Sequence, residues 1–171
     1  MNIYAIGENL LFGKVGHFLI ILTLVTSLTA SISYFLATTF RKNPEKSIPW
    51  VSFGRKLFIL HAVAVIGVLA SLLLIIHQHL FEYKYVWEHT SKDLPIYYQF
   101  SSMWSGQEGS TLLWMFWHAV LGCVLIFKAK DWESPVLSIV ALAQFLLCSM
   151  LLGIYVFGYK LGSNPFALIK D

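Results

Sequence analysis

The 171-residue sequence contains few charged residues: 12 lysines and arginines and 9 aspartates and glutamates, or 12% of the chain. A soluble domain has about 25% charged residues, because its surface must be covered with groups that water solvates well. So few charges cannot cover a soluble domain of this length. The scarcity excludes a soluble enzyme, a disordered protein and a nucleic-acid-binding domain, which needs a basic stripe with interleaved aromatic residues.

Cysteine is also scarce. The two cysteines, Cys123 and Cys148, lie in apolar segments, and neither belongs to a C-x-x-C motif. The sequence therefore offers no motif for redox or zinc chemistry, and we expect both cysteines to be buried side chains rather than disulfide partners. A phosphate-binding glycine motif and a serine–histidine–aspartate arrangement are missing as well.

What the sequence does contain is four long apolar windows without Asp, Glu, Lys or Arg. They cover residues 15–40, 57–81, 109–127 and 134–159. A helix needs about 20 mostly apolar residues to cross a bilayer, and it satisfies its own backbone hydrogen bonds in lipid. Continuous apolar runs disfavour a membrane β-barrel, whose strands alternate in polarity. We therefore predict an all-α, polytopic membrane protein, with residues 1–171 forming one transmembrane domain of four helices.

The charges of the connecting loops predict an orientation. Loop 41–56 carries five Lys or Arg residues against one acidic residue, and loop 128–133 adds two lysines. Loop 82–108 carries two lysines against four acidic residues. Since loops rich in Lys and Arg stay in the cytoplasm, we expect loop 82–108 to lie outside. Four crossings then place both termini outside as well.

Histidines are the first candidates for chemistry, because ionisable side chains in membrane spans are costly and often functional. The six are His17, His61, His77, His79, His89 and His118. Two axial ligands of one haem must lie at nearly the same depth, whereas His61 and His118 differ by roughly 8–10 Å at the rise of a helix. Helix tilt reduces such a difference in depth, so haem ligation by His61 and His118 remains an alternative. For the histidines in the spans we favour structural hydrogen bonding or a wet cavity over metal ligation.

The segment 85–114 is rich in aromatic residues and leads into the third window. Gly106 and Gly109 bracket Gln107 and Glu108, and an acidic side chain is favoured near the positive end of a helix dipole. One interpretation is a helix start with interfacial aromatic anchors. The other is a docking surface for a flat, aromatic ligand or a protein partner. The residue pattern alone does not choose between them.

Several motifs occur in a recognisable order. Leu94-Pro-Ile-Tyr-Tyr98 is followed by Trp104-Ser-Gly-Gln-Glu-Gly-Ser-Thr-Leu-Leu-Trp114, and Ser163-Asn-Pro-Phe166 comes near the end. The opening has Ile6-Gly-Glu and then Gly16-His-Phe before a long apolar run. These features resemble the N-terminal region of CcmF/NrfE-type cytochrome c haem lyase subunits, which show LPxxY, then W-x-G-x-E-G-S-x-L-L-W, and SNPF just after the fourth helix.

The resemblance implies a haem-handling protein of cytochrome c biogenesis in the bacterial inner membrane, with loop 82–108 in the periplasm. Family members receive haem from a chaperone and help to join its vinyl groups to the thiols of a C-x-x-C-H apocytochrome. They are much longer than this chain, and their tryptophan-rich motif and histidine haem ligands lie beyond SNPF. This chain therefore resembles the first four helices, as a split subunit or a fragment. It would not catalyse alone, and the family's haem ligands would not lie in it.

The candidate haem or partner surface follows from the same resemblance. Its residues are Trp104, Gln107, Glu108, Gly109, Ser110 and Trp114, with Leu94, Pro95 and Tyr98 in support. We expect haem as the cofactor and no catalytic or metal-ligating residue in this chain. Expected partners are the remaining part of the protein or other maturation subunits, the haem chaperone, apocytochrome c and membrane lipid, but no nucleic acid.

Two alternatives belong to other functional classes. One is a small transporter or channel subunit, and the other is a structural anchor subunit of a respiratory membrane complex. The absence of Asp, Glu, Lys and Arg from all four windows argues against ion coupling, because transporters bind their coupling ions near the middle of the membrane.

Overall fold

The computed structural model describes residues 9–156 and 159–170. Its helices are α1 (Leu11–Thr39), α2 (Pro44–His77), α3 (Lys84–His89), α4 (Ile96–Ser102), α5 (Gln107–Lys128) and α6 (Glu133–Leu152), with a 3₁₀ turn at Lys130–Trp132. Two short strands, β1 (Ile154–Val156) and β2 (Tyr159–Leu161), form an antiparallel pair. Among the described residues, α1, α2, α5 and the segment ending in α6 are long and apolar enough to cross a membrane. The predicted fold of four membrane helices is confirmed, and the strand pair is an addition to it.

The helices differ from the predicted windows in several places, and three differences matter for the fold. Helix α2 begins at Pro44 rather than near residue 57, because proline is well suited to the first position of a helix. The predicted end of the fourth helix, at residue 159, was wrong. Helix α6 stops at Leu152, where Gly153 adopts a left-handed φ of 70° that terminates the helix, although the apolar run continues. Finally, loop 82–108 contains two short helices, α3 and α4.

Helix α1 packs against both α2 and α6, and α5 packs against the same two helices. The buried face of α1 consists mainly of small residues, which are Gly13, Gly16, Thr23, Thr26, Ser27, Ala30, Ser31, Ser33 and Ala37. Small side chains let membrane helices approach closely, and hydroxyl groups can hydrogen-bond across the contact. One such bond links α1 to α6, since Ser31 Oγ donates to the carbonyl of Ser138 at 2.9 Å.

Larger apolar side chains fill two buried clusters between the helices. One includes Ile20, Leu72, Ile76, Leu112 and Cys148, and the other includes Tyr34, Phe58, Ile126 and Leu137. Many apolar side chains also point outward: Phe18, Phe35, Val63, Phe127 and Ile139 are between 61% and 77% exposed. A helical bundle exposes such side chains where lipid, rather than water, surrounds it.

Both described ends of the chain lie at the same end of the bundle as loop 82–108. The backbone N–H of Asn9 donates to Glu82 Oε1 at 3.1 Å, and the backbone N–H of Lys84 donates to the carbonyl of Ala167 at 2.9 Å. We call this end the rim; it comprises residues 82–106, residues 162–169 and the starts of α1 and α5. The side of the membrane that the rim faces stays a prediction.

An ion pair closes the opposite end of the bundle. Arg55 donates from Nε to Glu133 Oε1 at 2.6 Å and from Nη2 to Glu133 Oε2 at 2.5 Å. The hydroxyl of Tyr34 lies 3.5 Å from the same carboxylate. The Glu133 side chain is only 5% exposed, whereas that of Arg55 is 48% exposed. This bidentate pair therefore joins α2 to α6, with α1 alongside.

Replacing Glu133 with alanine is expected to lower the thermal stability of the detergent-solubilised protein. Hydrogen bonds to charged groups contribute about 1.5–3 kcal/mol each. Because the arginine is half exposed, we expect the total loss of folding stability to lie in the lower part of the range for buried ion pairs. Thermal unfolding followed by circular dichroism measures the effect. Asp131→Ala, two residues earlier and exposed, is the control. Equal melting temperatures for the two variants would contradict a stabilising role for the pair.

Candidate functional site

The rim is anchored first by a tyrosine that packs on a glycine of α1. Tyr83 is 1% exposed, and its hydroxyl donates to the carbonyl of Asn9 at 2.9 Å and accepts from the N–H of Gly13 at 3.1 Å. A Cβ at Gly13 would collide with the Tyr83 ring. The missing side chain therefore lets the beginning of loop 82–108 lie directly on the start of α1.

A second aromatic ring anchors residues 162–169, which we call the closing segment, one turn further along α1. Phe166 packs where a Cβ of Gly16 would otherwise be, and its N–H donates to Asn164 Oδ1 at 2.9 Å. Asn164 Nδ2 lies 2.7 Å from His17 Nδ1, so the amide donates to the imidazole. The Gly16-His17 motif and the Ser163–Phe166 motif, far apart in sequence, thus meet in space.

The closing segment also reaches the start of α5. The hydroxyl of Ser163 donates to Glu108 Oε1. Glu108 lies in the first turn of α5, where the partial positive charge of the helix end favours a carboxylate. One carboxylate therefore serves both the helix start and the closing segment.

Tyr85 holds the turn between α4 and α5. Its hydroxyl lies 3.1 Å from the carbonyl of Ser102 and 2.8 Å from that of Met103, and it accepts from the N–H of Gly106 at 3.4 Å. Burial raises the pKa of Tyr85, so the phenol stays neutral and can donate. The His89 ring stacks on Tyr85 with centroids 4.5 Å apart.

Gly109 is needed for this turn to pack against α5. The residue is buried, and a Cβ there would collide with the carbonyl oxygen of Met103 and the hydroxyl of Tyr85. Because one of these atoms belongs to the backbone, a larger side chain cannot be accommodated by a change of rotamer.

The sequence-predicted site residues do not line one pocket. Gly109 and Glu108 hold the rim together, and Ser110 Oγ donates to the carbonyl of Trp104 at 3.0 Å. By contrast, Trp104 and Trp114 are 42% and 62% exposed, and Gln107 is exposed as well. The predicted cluster is therefore divided between packing contacts and an outward-facing aromatic surface.

The three supporting residues lie at the start of α4. Pro95 precedes the helix, and its carbonyl accepts from the N–H of Tyr98 at 2.9 Å. The Tyr98 side chain is 53% exposed. The carbonyl of Leu94 accepts from Gln99 Nε2 at 3.1 Å, which brings a residue into the site that the sequence did not single out.

Helix α4 turns its polar residues inward and its apolar residues outward. Gln99 and Ser102 are buried, whereas Ile96, Tyr97, Tyr98 and Phe100 are 49–66% exposed. Beside α4 lies a groove of about 250 Å³ lined by Leu73, Leu74, His77, Ile96, Gln99 and Phe100. Sequence reasoning missed this groove; a glutamine amid the aromatic residues of this segment was the available signal.

The histidines have different surroundings. His61 is fully buried, and its Nδ1 lies 3.1 Å from the carbonyl of Thr23. Gln144 lies near the other side of that ring, but no hydrogen bond of normal geometry joins the two side chains. Among the described residues, Nδ1 of His79 and of His118 is buried without a hydrogen-bond partner.

At His77, Nδ1 lies 3.2 Å from Gln99 Oε1. An imidazole held in this way is the kind of donor that binds metals through its other nitrogen. One histidine in a groove of about 250 Å³, whose other lining residues are apolar or amide side chains, does not make a haem site. Residues 9–156 and 159–170 contain no group of three or more His, Cys, Asp or Glu side chains placed to hold a metal ion.

Four membrane helices, closed at one end by an aromatic rim, define a polytopic α-helical membrane protein. No protein-family model matches the chain, and no curated protein matches its sequence. Its fold is similar to the solved structure of the cytochrome c heme lyase CcmF, with a TM-score of 0.75, 21% sequence identity and 92% of this chain covered. The chain spans 26% of the length of that protein. The likeness confirms the fold that the sequence resemblance implied.

Substituting Gly109 with alanine is expected to destabilise the rim by about 1–3 kcal/mol, the usual range for overpacking. The matched control is Gly67→Ala in α2, where an added Cβ would approach only the flexible side chain of Leu19, at 2.8 Å. Limited proteolysis of loop 82–106 measures the loss. Equal cleavage rates for the two variants would show that the close contact at Gly109 is unimportant.

Proposed function

We propose that this chain is a membrane part of a cytochrome c maturation haem lyase, and that it contributes to haem delivery or attachment to apocytochrome c. The observation that carries the proposal is the CcmF fold over 92% of the chain. The arrangement of the rim supports it, because the motifs that resemble this family meet there.

The contacts between those motifs give each a distinct task. Gly16 receives Phe166, and Glu108 receives Ser163. Both contacts fix the closing segment against α1 and α5. The role proposed for Glu108 is therefore that of a positioning residue, which holds the chain after the fourth helix and does not act on a reacting group.

The exposed aromatic residues of the rim are the proposed contact surface. Trp104 and Trp114 lie on either side of the start of α5 and are half exposed or more. Gln107 adds an exposed amide between them. Tryptophan supplies a large apolar area together with one hydrogen-bond donor, which suits a flat porphyrin, a haem chaperone or an apocytochrome.

Haem, when bound, supplies the iron and the vinyl groups to which cysteine thiols add. The role proposed for this chain is to shape one side of the surface where haem and apocytochrome c meet. On its own the chain would not catalyse, and its partners would be the remaining helices of the lyase, the haem chaperone and apocytochrome c.

The proposed location is the bacterial inner membrane, with the rim in the periplasm. Its support is the charge distribution, since residues 41–56, which include the first turns of α2, carry five Lys or Arg residues at the end of the bundle opposite the rim. Positively charged loops remain in the cytoplasm. A transporter or an anchor subunit is less favoured, because the spans lack charged residues at mid-depth and the fold is that of CcmF.

Replacing Glu108 with alanine in cells that depend on this chain is expected to lower the yield of covalent cytochrome c more than the level of the chain in membranes. The variant removes the acceptor for Ser163, so the closing segment loses its position relative to α5. Haem-stained gels measure the cytochrome, and immunoblots measure the chain. Glu108→Gln keeps an acceptor oxygen and should retain most of the yield.

Glu88→Ala is the matched control. Glu88 is an acid of the same rim, half exposed, and its contact is a 3.8 Å pair with Lys84 that contributes little. Normal holocytochrome levels in the Glu108→Ala strain, at normal expression of the chain, would refute the proposed role of Glu108.

A further inference from the structure

The hydrogen bonds of the Asn164 side chain fix the orientation of its amide group. The backbone N–H of Phe166 donates to Asn164 Oδ1 at 2.9 Å, and a backbone N–H can only donate. The amide oxygen therefore points toward Phe166. The amide nitrogen, Nδ2, points toward His17, whose Nδ1 lies 2.7 Å away. The direction of the contact with His17 is thus set by a backbone donor.

The same geometry determines the charge state of His17 that the contact requires. An amide nitrogen only donates, so Nδ1 of His17 is the acceptor, and a ring nitrogen accepts only while it is unprotonated. A proton on Nδ1 would place two N–H donors face to face. Turning over the Asn164 amide would offer its oxygen to the imidazolium, but it would then lose the bond from Phe166. Protonation of His17 therefore costs one of two hydrogen bonds in either orientation.

His17 lies where protons from the aqueous phase can reach it. Its side chain is exposed, and it packs beside the closing segment at the rim. Helix α1 has 29 residues and is therefore about 44 Å long, whereas the hydrocarbon core of a bilayer is only about 30 Å thick. The first turns of α1 thus extend to the membrane surface.

The charged groups around His17 do not compensate a positive charge on it. The titratable residues of the surrounding elements are lysines, two hydrogen-bonded acids and a buried phenol, which are Lys14, Lys84, Lys170, Glu82, Glu108 and Tyr83. Lys14 lies one turn before His17 on α1 and carries a charge of the same sign. Among the residues that the structure describes, none forms an ion pair with His17. The imidazolium therefore gains no partner in place of the bond that it loses.

We propose that His17 and Asn164 form a pH-sensitive latch that holds the closing segment on α1. The latch is closed while His17 is neutral and weakens when acid protonates the ring. Because the closed state needs the neutral form, the contribution of this bond is fully present at higher pH and is lost as the pH falls. Imidazole is the side chain that changes charge between about pH 5 and pH 8. This inference does not depend on the proposed function.

The response is graded, because other contacts of the closing segment do not require a neutral histidine. Phe166 still packs on Gly16, and the N–H of Ile169 still donates to the carbonyl of Glu82 at 3.0 Å. The loss of one hydrogen bond should raise the open fraction of the segment by about two- to tenfold. Acid therefore loosens the closing segment without unfolding the bundle.

Hydrogen–deuterium exchange of the full 171-residue chain in lipid nanodiscs tests the latch. Exchange of residues 162–169 is measured at pH 8 and pH 5 in wild type and in His17→Gln, whose side-chain oxygen can accept at both values. Dividing the wild-type rate by the variant rate at the same pH removes the chemical dependence of exchange on pH. This ratio should rise by about two- to tenfold from pH 8 to pH 5.

The variant Asn164→Asp should reverse the response. It keeps an acceptor for the N–H of Phe166 and replaces the donor that faces His17 with a second acceptor. A protonated His17 then donates to a carboxylate, and such a charge-assisted bond is stronger than a neutral one. After the same correction with His17→Gln, the closing segment of this variant should be better protected at pH 5 than at pH 8.

His89→Gln is the matched control at the rim. Nδ1 of His89 lies 3.0 Å from the carbonyl of Tyr85, so it donates in either charge state, and the variant should keep the wild-type response. A wild-type ratio that is equal at pH 8 and pH 5 would overturn the latch. An equal loss of response in His89→Gln, or a wild-type direction of response in Asn164→Asp, would overturn it as well. If Asn164→Asp does not reach the membrane, the comparison with His17→Gln decides alone.

Discussion

The rest of the rim depends on the close approach of two aromatic rings to two glycines of α1. Tyr83 lies where a side chain of Gly13 would be, and Phe166 where one of Gly16 would be. Each ring brings a different part of the chain to the same helix start. The aromatic loop and the closing segment can therefore meet α5 only because α1 has no side chains at these two positions. The Glu108–Ser163 bond and the turn held by Tyr85 are consequences of that placement.

Lipid imposes the second constraint, because a polar group inside the bundle that finds no partner is costly. Many hydroxyls of α1 bond back to carbonyls one turn earlier, as Thr26 Oγ1 does to Leu22 at 2.7 Å. The Arg55–Glu133 pair lies at the end opposite the rim, where the arginine is half exposed and the glutamate is buried. The bundle is thus held by small-residue packing, with ionic contacts confined to its ends.

Much of the fold was predictable, because charge-free windows of this length mark membrane helices whatever their packing. The end of α6 was not, since Gly153 stops the helix within an apolar run that continues beyond it. At the site, the motifs around Glu108 were found from sequence, but their contacts with Ser163 and Phe166 depend on tertiary structure. The role of Gln99 was missed because α4 buries its polar side, the reverse of the usual pattern.

The most direct test of this account is the side of the membrane that the rim faces. A single cysteine at Ser91, which is exposed between α3 and α4, can be compared with one at Lys42, exposed in the loop after α1. A membrane-impermeant maleimide applied to intact spheroplasts should label Ser91→Cys at once and Lys42→Cys only after lysis. Labelling in the opposite order would place the rim in the cytosol and contradict a role in joining haem to periplasmic cytochromes.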